Sequence, residues 1–181
     1  MTDVSRETVA ERVMRSLRDV PDFPSPGILF KDITPVLADP ALMRDVIRDM
    51  ASPWRSELPS HVVGVESRGF LFGMPLALEL GVPFAPARKP GKLPWRTRRE
   101  AYALEYREDV LEMHEDALGA GGPRVVVVDD VLATGGTAAA TCRLVEQLGS
   151  RVLGVLVLVE LTALAGRGPL AGIPVHAVVR C

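Results

Sequence analysis

An α/β fold, a mainly parallel sheet flanked by helices, is the architecture this sequence predicts, on three observations. Short runs rich in β-branched residues alternate along the chain with segments whose apolar residues repeat at helical spacing. Residues 124–130, RVVVVDD, form a continuous apolar run of the kind expected in a strand buried on both faces. Glycines stand where two helical patterns end, at Gly81 and Gly149, as left-handed C-terminal residues do. With 181 residues, 48% of them hydrophobic, the chain suffices for one proper core and is too short for two large ones, so a single domain over 1–181 is expected.

The elements follow in order. Val9, Val13 and Leu17 step by four within residues 3–19, which reads as an amphipathic helix ending before Pro21. A proline-punctuated loop comes next. Asp39 reads as an N-cap with Pro40 at the first helical position, and Leu42, Met43, Val46, Ile47 and Met50 repeat at helical spacing until about Pro53. Residues 61–66, HVVGVE, suggest a strand, 69–80 a helix closed by Gly81, and 82–87 another strand. AYALEY (101–106) and DVLEMH (109–114) are expected to pair as a hairpin. After the valine run, a helix from about 135 to 148 leads to a strand at 151–161, RVLGVLVLVEL, and a last strand at 174–180, PVHAVVR, with right-handed crossovers and helices on both faces.

Composition narrows the function classes. The net charge is −2 and the pI about 5.9, so nothing global draws the chain to nucleic acid or an anionic membrane. No apolar run approaches the roughly 18 residues of a spanning helix, and the first thirty residues hold no apolar signal core. The expectation is a cytoplasmic protein with neither a membrane nor a nucleic acid as partner. Cys142 and Cys181 lack a Cys-x-x-Cys context and read as reduced thiols without a role. His61, His114 and His176 are scattered, so no zinc site or Ser-His-Asp triad assembles from local spacing, and no metal site built from protein ligands is expected.

The chemistry concentrates in residues 125–137, VVVVDDVLATGGT. In an open parallel sheet the ligand crevice lies beyond the carboxyl ends of the strands, where Asp129 and Asp130 are expected. Paired carboxylates are acceptors suited to vicinal hydroxyls. Immediately after them, Ala133, Thr134, Gly135, Gly136 and Thr137 offer a loop with little side-chain bulk, two hydroxyls and the free N–H groups of a helix N-terminus, which is a phosphate cradle. One motif thus holds a sugar by its diol and its phosphate, as ribose 5-phosphate requires. An ordinary N-cap at Thr134 with solvated aspartates is the blander alternative, and the combination with the valine run argues against it. The P-loop lysine and the G-x-G-x-x-G fingerprint are both missing, which disfavours ATP hydrolysis and dinucleotide binding.

Cations gather at two more strand ends. Arg68 lies in Glu66-Ser67-Arg68-Gly69, where a strand turns into a helix, and Arg88, Lys89 and Lys92 follow the next strand in RKPGKLP. Together they suit a pyrophosphate whose charge grows as it leaves; a solvated basic face or a nucleic-acid patch is the alternative. Arg96, Arg98 and Arg99 have no assigned role. Residues 91–106, GKLPWRTRREAYALEY, read as an irregular polar excursion of the kind that forms lids.

Four segments in order, VPDFPSPGILFKDITPVLADP (20–40), GVESRGFLFG, RKPGKLP and LVELTAL, join the phosphate motif in a resemblance to the type I phosphoribosyltransferases that covers nearly the whole chain. The resemblance implies that family's fold, with an N-terminal hood at about 20–35 and a flexible catalytic loop at about 91–106. It further implies transfer of a phosphoribosyl group from 5-phosphoribosyl 1-pyrophosphate to N9 of adenine, giving AMP and pyrophosphate, with Mg2+ carried in by the substrate and a homodimer as the working form. In that scheme backbone groups at Leu29 and Lys31 read the adenine edge, Glu105 manages the proton at purine N7, and Tyr106 supports it. The WRTRRE segment is more basic than this loop leads one to expect. Transfer to another base, or a non-catalytic sensor of the same ligands, are the alternatives; the sensor lacks room for an added nucleic-acid-binding domain.

Overall fold

Thr8 starts the first helix by a reciprocal cap: its side chain accepts the Glu11 N–H, and the Glu11 carboxylate accepts the Thr8 N–H. In the computed structural model, which describes residues 7–104 and 107–181, this helix is α1 (Val9–Ser16), anchored by buried Val13. It stops earlier than the periodicity suggests, because Arg18 to Pro21 are extended. Strands β1 (Arg18–Pro21) and β2 (Leu29–Asp32) pair antiparallel, with Val20 opposite Phe30, so the segment expected as a plain loop is a small hairpin. After the single turn α2 (Thr34–Leu37), the Asp39 carboxylate accepts the Ala41 and Leu42 N–H groups and opens α3 (Pro40–Ala51) with Pro40 at its start, as expected.

The remaining elements are β3 (His61–Val65), α4 (Gly69–Leu80), β4 (Phe84–Ala87), β5 (Thr97–Leu104), β6 (Arg107–His114), β7 (Arg124–Leu132), α5 (Gly136–Gln147), β8 (Arg151–Glu160) and β9 (Val175–Arg180). A five-stranded sheet in the order β4-β3-β7-β8-β9 is parallel throughout. Side chains alternate across it, and the valine run shows the consequence. Val126 and Val128 pack with Val46, Met50, Phe72 and Leu76 of α3 and α4 on one face. Val125 and Val127 pack with Ala139, Leu144 and Val145 of α5 and with Leu111 and Met113 of β6 on the other. All four valines are fully buried, each such burial stabilising the fold by about 1.5–3 kcal/mol. Among the described residues no helix is long and apolar enough to cross a membrane.

Two boundaries differ from the sequence reading for physical reasons. The paired aspartates are not the strand's tip: β7 continues to Leu132 because β8 runs beside it, with Val131 opposite Val159 and Leu132 opposite Glu160. On the other side its pairing with β3 ends at Gly64 opposite Val128, so Asp129 begins an overhang with one open edge. The β5–β6 hairpin begins at Thr97, inside the segment read as irregular. Glu112, 1% exposed, accounts for this extension. Its carboxylate accepts hydrogen bonds from Gly91 N–H, Thr97 Oγ1 and Arg99 Nε at 2.9, 3.2 and 3.0 Å, while its backbone exchanges both hydrogen bonds with Arg88 beside the sheet's β4 edge. Residues 105 and 106, the end of the expected first hairpin strand, lie outside the described residues.

Candidate active site

The overhang of β7 forms the floor of a cleft of about 760 Å³, walled by the β1–β2 hairpin, the turn after β3, the β5–β6 hairpin and the segment after β8. Asp129 and Asp130 line it. Gly69 permits the arrangement: a Cβ there would stand 2.6 Å from the Val128 carbonyl oxygen and 3.1 Å from Asp129 Cα, so only glycine lets α4 begin this close to β7. Burial, and next the charge of Asp130, push the Asp129 carboxyl well above its ordinary range, against the hydrogen bond it accepts from the Asp130 N–H. Asp130 is 5% exposed, and Arg68 Nε approaches its Oδ2 at 2.6 Å. That contact is an ion pair without hydrogen-bond alignment, so the buried oxygen keeps its acceptor capacity. The Arg68 guanidinium also stands 5.5 Å from the centre of the Phe30 ring, which links the hairpin to the carboxylates.

The small-residue loop sits beside the aspartates. Ala133, Thr134, Gly135, Gly136 and Thr137 surround a niche of about 70 Å³ adjoining the cleft, together with Asp129. Gly135 caps α5 in the left-handed conformation, φ +83°, and a Cβ there would overlap the Gly166 carbonyl. No side chain caps the helix, whose first residues, Gly136, Thr137 and Ala138, line the niche.

The cations separate into two kinds. Arg68 and Lys89 line the cleft, but Arg88 and Lys92 do not. The Arg88 guanidinium instead grips Glu66 with both arms, Nε to Oε2 at 3.2 Å and Nη2 to Oε1 at 3.0 Å, and its Nη1 donates to the Lys92 carbonyl at 3.1 Å. Burial acts to raise the Glu66 pKa, but Arg88 and the Lys89 N–H outweigh it and hold the carboxyl below its ordinary value. Arg88 therefore fixes the turn that carries Lys89. Among the unassigned arginines, Arg99 pairs with buried Glu112.

Leu29 and Lys31 line the cleft together with Ile28, Phe30, Leu161 and Leu164, its apolar part. The Lys31 ammonium is held by Asp19 at 2.6 Å. Glu105 and Tyr106 lie outside the described residues. Tyr102 and Asp109 line the cleft although the sequence reading singled out neither; only the cross-strand register, which sets them opposite each other, reveals them. Among the described residues, no group of three or more His, Cys, Asp or Glu side chains is placed to hold a metal ion.

A sheet whose overhanging strand carries two carboxylates beside a glycine-built niche defines a class. The phosphoribosyl transferase domain family matches residues 33–171, and the chain belongs to it. Within that family the chain is similar to adenine phosphoribosyltransferases. The one from Anaeromyxobacter dehalogenans is 54% identical over 169 residues, 93% of this chain and 98% of the relative. The crystal structure of the Rhodothermus marinus enzyme superposes with a TM-score of 0.90 at 51% identity, covering 96% of this chain and 98% of that one. The Saccharomyces cerevisiae enzyme, in a complex with adenine and an imino-altritol bisphosphate, superposes with a TM-score of 0.88 at 40% identity over 94% of this chain and 98% of that one.

Proposed function

We infer that this chain is an enzyme that transfers the 5-phosphoribosyl group of 5-phosphoribosyl 1-pyrophosphate to N9 of adenine, releasing AMP and pyrophosphate. The observation that carries the reading is the juxtaposition on one cleft of two carboxylates, a small glycine-lined niche beside them, and apolar side chains of the 28–31 segment with Leu161 and Leu164. Kinship with adenine phosphoribosyltransferases over nearly the whole length selects adenine over other bases and transfer over sensing.

The residues divide the work by their chemistry. The 133–137 loop and the α5 N-terminus bind the 5-phosphate, remote binding energy that fixes C1 of the ribose for in-line attack. Asp129 and Asp130 accept the 2- and 3-hydroxyls, and their charge suits the oxocarbenium-like centre formed as the C1–O bond stretches. Arg68 and Lys89 take the growing charge on the departing pyrophosphate, while Arg88, through Glu66, holds the turn in place. Adenine lies between the 28–31 segment and Leu161 and Leu164, its edge read by backbone groups at Leu29 and Lys31. Glu105 handles the proton at N7 so that the N9 lone pair attacks C1 from the face opposite the pyrophosphate, with inversion; Tyr106 supports that carboxylate. The 91–106 segment shields the cation from water.

Magnesium belongs to this scheme as a companion of the substrate. The cleft suits it, since hard carboxylate oxygens line it and Asp130 Oδ2 retains unused acceptor capacity. When bound with the substrate, it would supply neutralisation of the leaving group's charge. The working form is a cytoplasmic homodimer in this reading, and the exposed stripe Leu71, Met74 and Leu78 on α4 is a candidate contact. Purified protein given 5-phosphoribosyl 1-pyrophosphate, magnesium and each of adenine, guanine, hypoxanthine, xanthine and orotate tests the assignment. AMP from adenine alone is expected; turnover with another base in preference, or with none, sinks it.

A further inference from the structure

One carboxylate in the cleft has no part in the transfer as derived. Asp109 of β6 stands directly across from Tyr102 of β5. Its Oδ1 accepts the Val110 N–H at 3.0 Å, and its Oδ2 receives Lys89 Nζ at 3.2 Å and the Tyr102 hydroxyl at 3.4 Å. Tyr102 in turn accepts a hydrogen bond from Thr137 Oγ1 at 3.3 Å. Asp109, Lys89, Tyr102 and Thr137 all line the same cleft. The arrangement is a relay from the basic edge to the phosphate niche, and Asp109 is its centre. Electrostatics makes its presence costly: a carboxylate within reach of a sugar phosphate and a pyrophosphate repels both. Asp129 and Asp130 offset that repulsion by binding hydroxyls, whereas Asp109 faces a cation and a phenol.

We propose that Asp109 is a positioning residue that exchanges Lys89 with the pyrophosphate and orients Thr137 through Tyr102. The inference rests on the phosphoribosyl-transfer reading of the cleft. Before the substrate arrives, Asp109 keeps the Lys89 ammonium at the cleft wall. Pyrophosphate, carrying more charge, draws the ammonium away; when pyrophosphate departs, the carboxylate recovers the cation, which eases release. Asp109 therefore weakens pyrophosphate binding and speeds its departure, the opposite of what an anion-binding residue does.

The test is calorimetric titration of wild-type protein, Asp109→Asn, Lys89→Ala and the double variant with magnesium pyrophosphate and, separately, AMP. Asp109→Asn should bind pyrophosphate about fivefold more tightly, within the range of one partly exposed ion pair. AMP affinity should change less than about twofold, because the amide oxygen still accepts from Tyr102. In the Lys89→Ala background the gain should vanish. Unchanged or weaker pyrophosphate binding by folded Asp109→Asn, or the same gain without Lys89, overturns the proposal. Should Asp109→Asn fail to fold, Tyr102→Phe decides: it should weaken AMP and spare pyrophosphate, and the reverse pattern refutes the relay. Wild-type turnover of adenine, measured alongside, separates the two claims. Its absence defeats the transferase reading, while normal turnover with an unaltered Asp109→Asn defeats this inference alone.

Discussion

Gly135 allows the niche beside the aspartates to be probed by a single methyl group. Its φ of +83° costs an alanine about 1–2 kcal/mol, and the added Cβ would overlap the Gly166 carbonyl, a backbone atom that cannot swing aside. Overpacking of that kind adds about 1–3 kcal/mol. Gly81 serves as the control, since its φ is +69° yet nothing lies within 4 Å of its Cβ position, so only the conformational cost applies. At about 2–4 °C per kcal/mol for a chain of this size, Gly135→Ala should lower the melting temperature by about 10 °C and Gly81→Ala by about 4 °C. Thermal melts followed by circular dichroism measure the difference. The same variant should raise KM for 5-phosphoribosyl 1-pyrophosphate, whereas Gly81→Ala should not. Equal melting shifts for the two variants would show that the loop after β7 is not packed against residue 166 as described.

Two further outcomes follow from the environments of single groups. The Asp129 carboxyl has a folded pKa above its unfolded value near 3.8, so the native state holds the proton more tightly, and stability falls as pH rises from the unfolded value through the raised one. Asp129→Asn removes that loss; its advantage over wild type should be absent below about pH 4 and open as the pH rises to neutrality, and melts showing a pH-independent gap would contradict the assignment. Burial pushes the Cys142 thiol up to about 12, and the side chain is 2% exposed, while Cys181 is partly open. A thiol reagent at about pH 8 should modify only Cys181 until the protein unfolds; prompt labelling of Cys142 in the native state would be the contrary result.

The elements that sequence patterns revealed were those whose signal is local. The valine run, the Asp39–Pro40 start and the Gly81 stop each depend on neighbours a few residues away, and β7, α3 and α4 form where those signals stand. The floor of the cleft was legible for the same reason, because the aspartates, the small loop and the helix start are consecutive. What escaped was set by partners distant in sequence. The length of β7 depends on β8, the start of β5 on buried Glu112, and the attachment of Arg88 on Glu66, 22 residues away. Tyr102 and Asp109 carry no motif; their place follows from hairpin register alone. The β1–β2 hairpin is four residues to a strand, too short for alternation to declare itself.

The central claim is that phosphoribosyl transfer occurs on the overhang of β7. Steady-state AMP formation by Asp130→Asn tests it most directly, because the substitution keeps the volume and removes the charge that the proposed scheme sets against the ribose. Loss of one such electrostatic contact should lower kcat/KM for 5-phosphoribosyl 1-pyrophosphate by about two orders of magnitude, with the melting temperature little changed. An Asp130→Asn protein that makes AMP at a rate within about threefold of wild type would place the chemistry elsewhere.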